Sequence, residues 1–195
     1  MRFVTPQLDE PIAYPKAVRR AVAQKQLAVR QEWREHNERI RPLLPTGLQF
    51  LLDFSLDDAL VLSLRLDPLQ KTLALTLYAG DAQRGYFKLL LHYDNIALTR
   101  AETQLLCLIV HAADDIYWGE LDIVEGDEPL VFIHRLLWHS SIKMDRDGCC
   151  FQPEIELRFG GFELEVTPLP DGRTAKRDTD FIQVVRDPDY IEGLN

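Results

Sequence analysis

Residues 153–167 read PEIELRFGGFELEVT, from Pro153 through Gly160-Gly161 to Thr167. Apolar and charged side chains alternate on both sides of the glycine pair, the period of a half-buried strand. Two such runs joined by Gly-Gly predict a β-hairpin with a two-residue loop. In that register 159 faces 162, 157 faces 164 and 155 faces 166, so Ile155, Leu157, Phe159, Phe162, Leu164 and Val166 share one face. At ~1.5–3 kcal/mol per buried apolar side chain, the six contribute on the order of 10 kcal/mol before the entropy of ordering is subtracted. A slip of one residue exposes all six, which specifies the register. The same pairing sets Glu156 opposite Glu165, a like-charge pair that a cation or a basic partner would relieve.

The code upstream is also period two. Leu60, Leu62, Leu64 and Leu66 alternate with Val61, Ser63 and Arg65, and Leu73, Leu75 and Leu77 alternate with Thr72, Ala74 and Thr76. Asp67-Pro68-Leu69-Gln70 lies between them with proline at the second turn position. That is a second hairpin. Gly85 to Tyr93 offers another strand, with Phe87, Leu89, Leu91 and Tyr93 on one side. Ile116 to Val124 and Leu130 to His139 add two more, and Phe181 to Val185 reads as an edge strand. Ala101 to Ala113 and a short stretch between Thr46 and Ser55 read as helices. Strands that follow one another without helices between most of them predict an antiparallel sheet.

Pro15 to Arg41 is different. Val18, Ala21, Val22, Ala28, Val29, Trp33 and Ile40 recur at helical spacing in a thin stripe, and Pro42 and Pro45 stop it. The fold class expected is α+β: a mainly antiparallel β meander or sandwich with a long N-terminal helix and one internal helix. One domain covers 1–195, with the helix at 15–41, the β body at 56–168 and a charged C-terminal tail at 171–195.

The chain has 195 residues, 22 basic and 31 acidic side chains and a formal charge of −9. Residues 16–41 carry +5 and residues 42–195 carry −13. A body this acidic repels a phosphate backbone, so no nucleic-acid partner is expected. The basic helix either lies across the acidic body or meets an anion. Met1 to Pro6 lacks the apolar core of a signal peptide, and no apolar run approaches the ~20 residues of a membrane helix. Cys107 sits in an apolar run, Cys149 and Cys150 are adjacent, and no CxxC occurs. Reduced cysteines in a cytoplasmic protein without a structural zinc site are the expectation.

Motifs for chemistry are missing. Neither GxGxxG nor GxxxxGK[ST] nor GxSxG is present, and HExxH is absent. A thiolate at Cys149 or Cys150 would be opposed by Asp145 and Asp147. His111, Asp114 and Glu120 are the only metal ligands worth naming, and helix-end acids beside a surface histidine explain them as well. His92 and His134, amid apolar neighbours, read as hydrogen-bonded core histidines. No catalytic residue, metal ligand or cofactor is assigned.

The acidic stretch remains. Between Arg100 and Arg135 there is no Lys or Arg, and Glu102, Asp114, Asp115, Glu120, Asp122, Glu125, Asp127 and Glu128 all fall there. Trp118, Glu120 and Asp122 share one side of their strand, opposite Tyr117, Leu121 and Ile123. On an exposed face, a tryptophan beside carboxylates supplies apolar area for affinity and charge for encounter. The partner-binding residues expected are Asp114, Asp115, Trp118, Glu120, Asp122, Glu125, Asp127, Glu128, Glu156 and Glu165. Solvated acids that only maintain solubility are the plainer explanation.

Phe54-Ser-Leu-Asp-Asp-Ala-Leu-Val-Leu62, with Glu156-Leu-Arg-Phe159 and Phe162-Glu-Leu164 further on, resembles a group of bacterial cytoplasmic proteins of unsettled activity. In that group a helix leads into an SLHDA strand start and a β meander. The likeness covers about half of the chain. Asp57 stands where the group has histidine, so no role of that histidine carries over. The resemblance implies a bacterial, cytoplasmic setting.

These features point to an acidic protein-binding module, in its specific form an immunity-type inhibitor of a basic bacterial toxin. The alternative is a small-ligand-binding protein or a metal-assisted hydrolase with a carboxylate-lined pocket. A homodimer through the N-terminal helix is a further expectation; a membrane partner is not.

Overall fold

The computed structural model describes residues 16–81, 83, 85–112, 115–124, 126, 129–139, 153–169 and 180–185. The expectations for the chain start, for Cys149 and Cys150, and for residues 171–179 and 186–195 of the tail lie outside the described residues. Two compact units divide the chain, Met1–Leu44 and Pro45–Asn195.

The first unit carries α1, Lys16–Ile40, close to the expected bounds. Arg41–Leu43 tightens into one 3₁₀ turn, because Pro42 has no N–H to extend the α ladder. From residue 23 onward the side chains are mainly exposed, and His36, Asn37 and Ile40 are the buried positions. Local links run along it: Gln31 donates to Glu35 at 2.7 Å, and Arg39 lies 3.1 Å from His36 Nδ1.

The second unit is rich in antiparallel sheet. Its elements are α2 (Thr46–Asp53), β1 (Leu60–Asp67), β2 (Thr72–Asp81), β3 (Gly85–Asp94), α3 (Arg100–Ala112), β4 (Asp115–Val124), β5 (Val131–His139), β6 (Glu154–Phe159), β7 (Gly161–Leu169) and β8 (Ile182–Val184). The chain is an α+β protein with a helix near its N-terminus. Among the described residues, five strands form one sheet in the order β7-β3-β2-β1-β8, and three form another in the order β4-β5-β6.

The β1–β2 hairpin follows its turn chemistry. Asp67 Oδ1 accepts the backbone N–H groups of Leu69 and Gln70, each at 3.0 Å, so the aspartate itself closes the turn. Leu66 then pairs with Leu73 and Leu64 with Leu75. The four-leucine face expected from 60 to 66 is broken by a bulge between Val61 and Ser63, which brings Val61 opposite Leu77. One extra residue reverses the alternation beyond it. On β3, Leu89, Leu91 and Tyr93 are fully buried, as their spacing requires.

Thr99 and Glu102 start α3. The Glu102 carboxylate accepts from Thr99 N–H and from its hydroxyl, both at 2.7 Å, and Glu102 N–H donates back to Thr99 Oγ1 at 3.2 Å. This reciprocal cap satisfies two helix-end donors.

The expected hairpin at Gly160-Gly161 does not form. β6 pairs with β5, and β7 pairs with β3 in the other sheet. Residues 154–169 are therefore two strands joined at a corner between sheets, not two neighbours. Neither glycine has the positive φ of a tight hairpin turn; among the described glycines only Gly80, Gly85 and Gly126 do. What they provide is room. A Cβ on Gly160 would stand 3.3 Å from Asn95 Cβ, and one on Gly161 would stand 3.1 Å from Asp94 Cβ. Gly160 N–H donates to Asp94 O at 2.9 Å, seating the corner on the end of β3. Glu156 and Glu165, expected face to face, lie in different sheets, opposite Arg135 and Leu90.

β8 is the strand expected at 181–185, but it runs parallel to β1. β7 runs opposite to β1, so a chain that reverses after β7 and joins the far edge must run with β1. Leu64 N–H donates to Phe181 O at 2.7 Å and Val185 N–H to Leu66 O at 2.8 Å.

The inner faces of the two sheets meet around Tyr93, whose ring packs edge-on to Phe159 at 4.9 Å and to Phe162 at 5.1 Å. Phe54 stacks on Phe50 of α2 at 5.2 Å and meets Phe87 of β3 edge-on at 5.7 Å. A bridge between Ala59 and Ile116 links the start of β1 to β4.

Candidate functional site

On the three-stranded sheet, pairing decides which side chains share a face. Trp118, Glu120 and Asp122 on β4 lie beside Leu137, Arg135 and Ile133 on β5, and beside Glu154, Glu156 and Arg158 on β6. The shared side expected for Trp118, Glu120 and Asp122 is thus present. Its exposure is uneven. Glu120 is only 3% exposed, and Ile133 and Leu137 on the same face are buried too. Trp118 and Asp122 are half-buried, and Glu154 and Arg158 on β6 are exposed.

The remaining charges on this face are balanced from within. Arg135 Nε donates to Glu156 at 2.8 Å, and its Nη1 lies 3.3 Å from Asp122 Oδ2. Arg158 Nε donates to the other Glu156 oxygen at 2.8 Å. Burial works against charge on the Glu156 carboxyl, but hydrogen bonds from Arg158 and Arg135 outweigh it and hold its pKa below the usual value. Burial likewise opposes the Arg135 charge, and the bonds to Glu156 and Asp122 more than offset this and raise its pKa. A carboxylate committed to an internal guanidinium has little charge left for a visitor. Of the acids expected at a partner surface, Glu120 is buried, and Asp122 and Glu156 are paired with arginines of the sheet.

Asp115 opens β4 and is half-buried. Asp114, Glu125, Asp127 and Glu128 lie outside the described residues. Among the described residues no three His, Cys, Asp or Glu side chains come together as a metal site.

The buried histidine is a structural one. His134 is 1% exposed, and its Nδ1 lies 2.9 Å from the Tyr93 hydroxyl across the two sheets. Burial pulls its pKa down to about 3 and pushes that of Tyr93 up. Gly119 leaves room for the ring, since a Cβ there would stand 3.3 Å from His134 Nε2. His92 is half-exposed and pairs with Asp94 at 3.1 Å. Burial raises the pKa of the Cys107 thiol, the reverse of what a nucleophile needs.

A groove that the sequence did not announce lies elsewhere, between α2 and β7. It has a volume of about 550 Å³ and is lined by Pro45, Thr46, Gly47 and Phe50 on one wall and by residues 162–166 on the other. Gly47 sets its depth: a Cβ there would stand 3.0 Å from Leu164 Cβ. Glu163 and Glu165 are among its lining residues and are exposed, their side chains on the face of β7 turned away from α2, and no lysine, arginine or histidine lines it. Of the acids expected at a partner surface, Glu165 is the one found here. Glu163 was missed because the hairpin reading drew attention only to the cross-strand pair Glu156 and Glu165.

Comparison with known proteins adds no relative: no family model, no curated protein and no solved structure matches the chain. No described helix is long and apolar enough to cross a membrane.

Proposed function

We propose that this chain is a protein-binding module whose acidic groove between α2 and β7 takes a basic partner. The observation that carries the reading is the pairing of an open groove with two exposed carboxylates that have no ion-pair partner among the described residues. Glu163 and Glu165 make no ion pair or hydrogen bond among the described residues, whereas Asp122 and Glu156 are held by Arg135. Charge left unbalanced at a surface steers an oppositely charged partner and favours its orientation. The finer form of the proposal is a cytoplasmic, immunity-type inhibitor of a basic bacterial toxin. Its genetic counterpart is a neighbouring gene for a basic toxin, with co-expression protecting the host.

The direct test uses decalysine as the probe and the full chain as the target. Calorimetry at rising salt should show binding that weakens steeply, because exposed charges are screened within ~10 Å at 0.1 M salt. A Glu163→Lys/Glu165→Lys variant should lose about tenfold in affinity, and Asp122→Asn should bind as the parent does. Equal binding by the charge-reversed variant, or none by the parent, overturns the reading.

A further inference from the structure

We infer that the groove binds its partner as an added β-strand: an extended segment with basic residues two positions apart, lying along the open edge of β7. The inference rests on the proposed acidic protein-binding site and specifies what enters it. Five consecutive residues, 162–166, line the groove. Side chains of a strand alternate between faces, so a groove on one face meets every second residue. Contact with all five places the groove along the backbone edge. Among the described residues, β7 is the terminal strand of the five-stranded sheet, paired with β3 on one side only. An edge strand carries backbone N–H and C=O groups that its single neighbour does not use. A strand laid there gains main-chain hydrogen bonds, and pockets for alternate side chains supply selectivity.

The side chains beside that edge define the occupant. Phe162 and Leu164 turn toward α2, where Gly47 meets both. Glu163 and Glu165 are on the opposite, exposed face. An added strand then presents an apolar residue toward Pro45 and Phe50, flanked by two residues that face Glu163 and Glu165. Those two should be lysine or arginine. A second copy of this chain is the poorer occupant, because antiparallel pairing of β7 with itself about Leu164 sets Glu163 against Glu165 twice.

A capped nonapeptide with lysine at its fourth and sixth positions, valine between them and serine or threonine elsewhere serves as the probe. Its fluorescence anisotropy is followed with the full chain. An isomer with the lysines adjacent keeps the charge but splits it between faces, and should bind about tenfold more weakly. Two further peptides carry backbone N-methyl groups on alternate residues, one set in each phase. Only one phase points its N–H groups at β7, so one methylated peptide should lose binding while the other retains it. Equal binding by both methylated peptides and by the adjacent isomer overturns strand addition and leaves an acidic groove that reads charge alone. Absence of any binding that Glu163→Lys/Glu165→Lys diminishes overturns both strand addition and the cationic-partner reading.

Discussion

The Tyr93–His134 hydrogen bond joins the two sheets at 2.9 Å in a fully enclosed site. Its consequence is a specific acid sensitivity. Above pH 6.5 the imidazole is neutral in folded and unfolded chains alike, and it contributes nothing to pH dependence. Below 6.5 the unfolded chain takes a proton that the folded chain refuses until about pH 3. The unfolded state then binds more protons, so stability falls as pH falls, by about 1.4 kcal/mol per pH unit in this window. Glu102 and Glu156, whose pKa values are lowered, lose their contributions only below the ordinary carboxylate value of 4.5. Over pH 6.5 to 5, the difference between the parent and a variant lacking His134 therefore reports this histidine. Urea unfolding should show the parent losing about 2 kcal/mol more over that interval than a Tyr93→Phe/His134→Leu variant. Parallel pH curves for the two proteins would show that His134 is not held neutral by the fold. Local apolar neighbours made the buried histidine legible in the sequence. Its tyrosine partner lies 41 residues away and was not legible.

Period-two alternation disclosed β1, β2, β3, β6 and β7, because a side chain's face is a local property of the backbone. Pairing is not local, and Gly160-Gly161 shows the difference. A glycine pair serves a tight turn through positive φ or a corner through lack of side chains, and the sequence is the same for both. Only the neighbouring Asp94-Asn95 turn, packed against the corner, decides between them. The two cases respond oppositely to one substitution. In a two-residue hairpin loop, Asn-Gly is a favoured pair, so Gly160→Asn would be neutral or stabilising. At this corner its Cβ comes within 3.3 Å of Asn95 Cβ, and the crowding should cost about 1–2 kcal/mol. Chemical denaturation of the Gly160→Asn variant measures it, and an unchanged or raised midpoint would favour a turn over a corner. The Thr99-x-x-Glu102 cap is equally local, but the helix was expected only from Ala101. The bulge at Val61 was not readable, since four alternating leucines fit a regular strand equally well.

Across the two sheets, two sets of described acids that look alike in the sequence do different work. Asp122 and Glu156 hold Arg135 within the three-stranded sheet, while Glu163 and Glu165 stand on an open sheet edge. Composition alone cannot separate them, because the division depends on which strands become neighbours. Charges on an edge strand also keep identical chains apart, since a flat apolar edge is a template for pairing with another copy. Val166, 38% exposed, already offers apolar surface on that edge. Replacing the carboxylates by strand-forming neutral residues should therefore release self-association. Sedimentation velocity of a Glu163→Thr/Glu165→Val variant should show a weight-average mass that rises with concentration above that of the parent. The same rise should persist when residues 1–44 are deleted, which separates an edge-to-edge contact from a dimer formed through α1. A variant that sediments as the parent does at every concentration would mean that something other than Glu163 and Glu165 guards this edge.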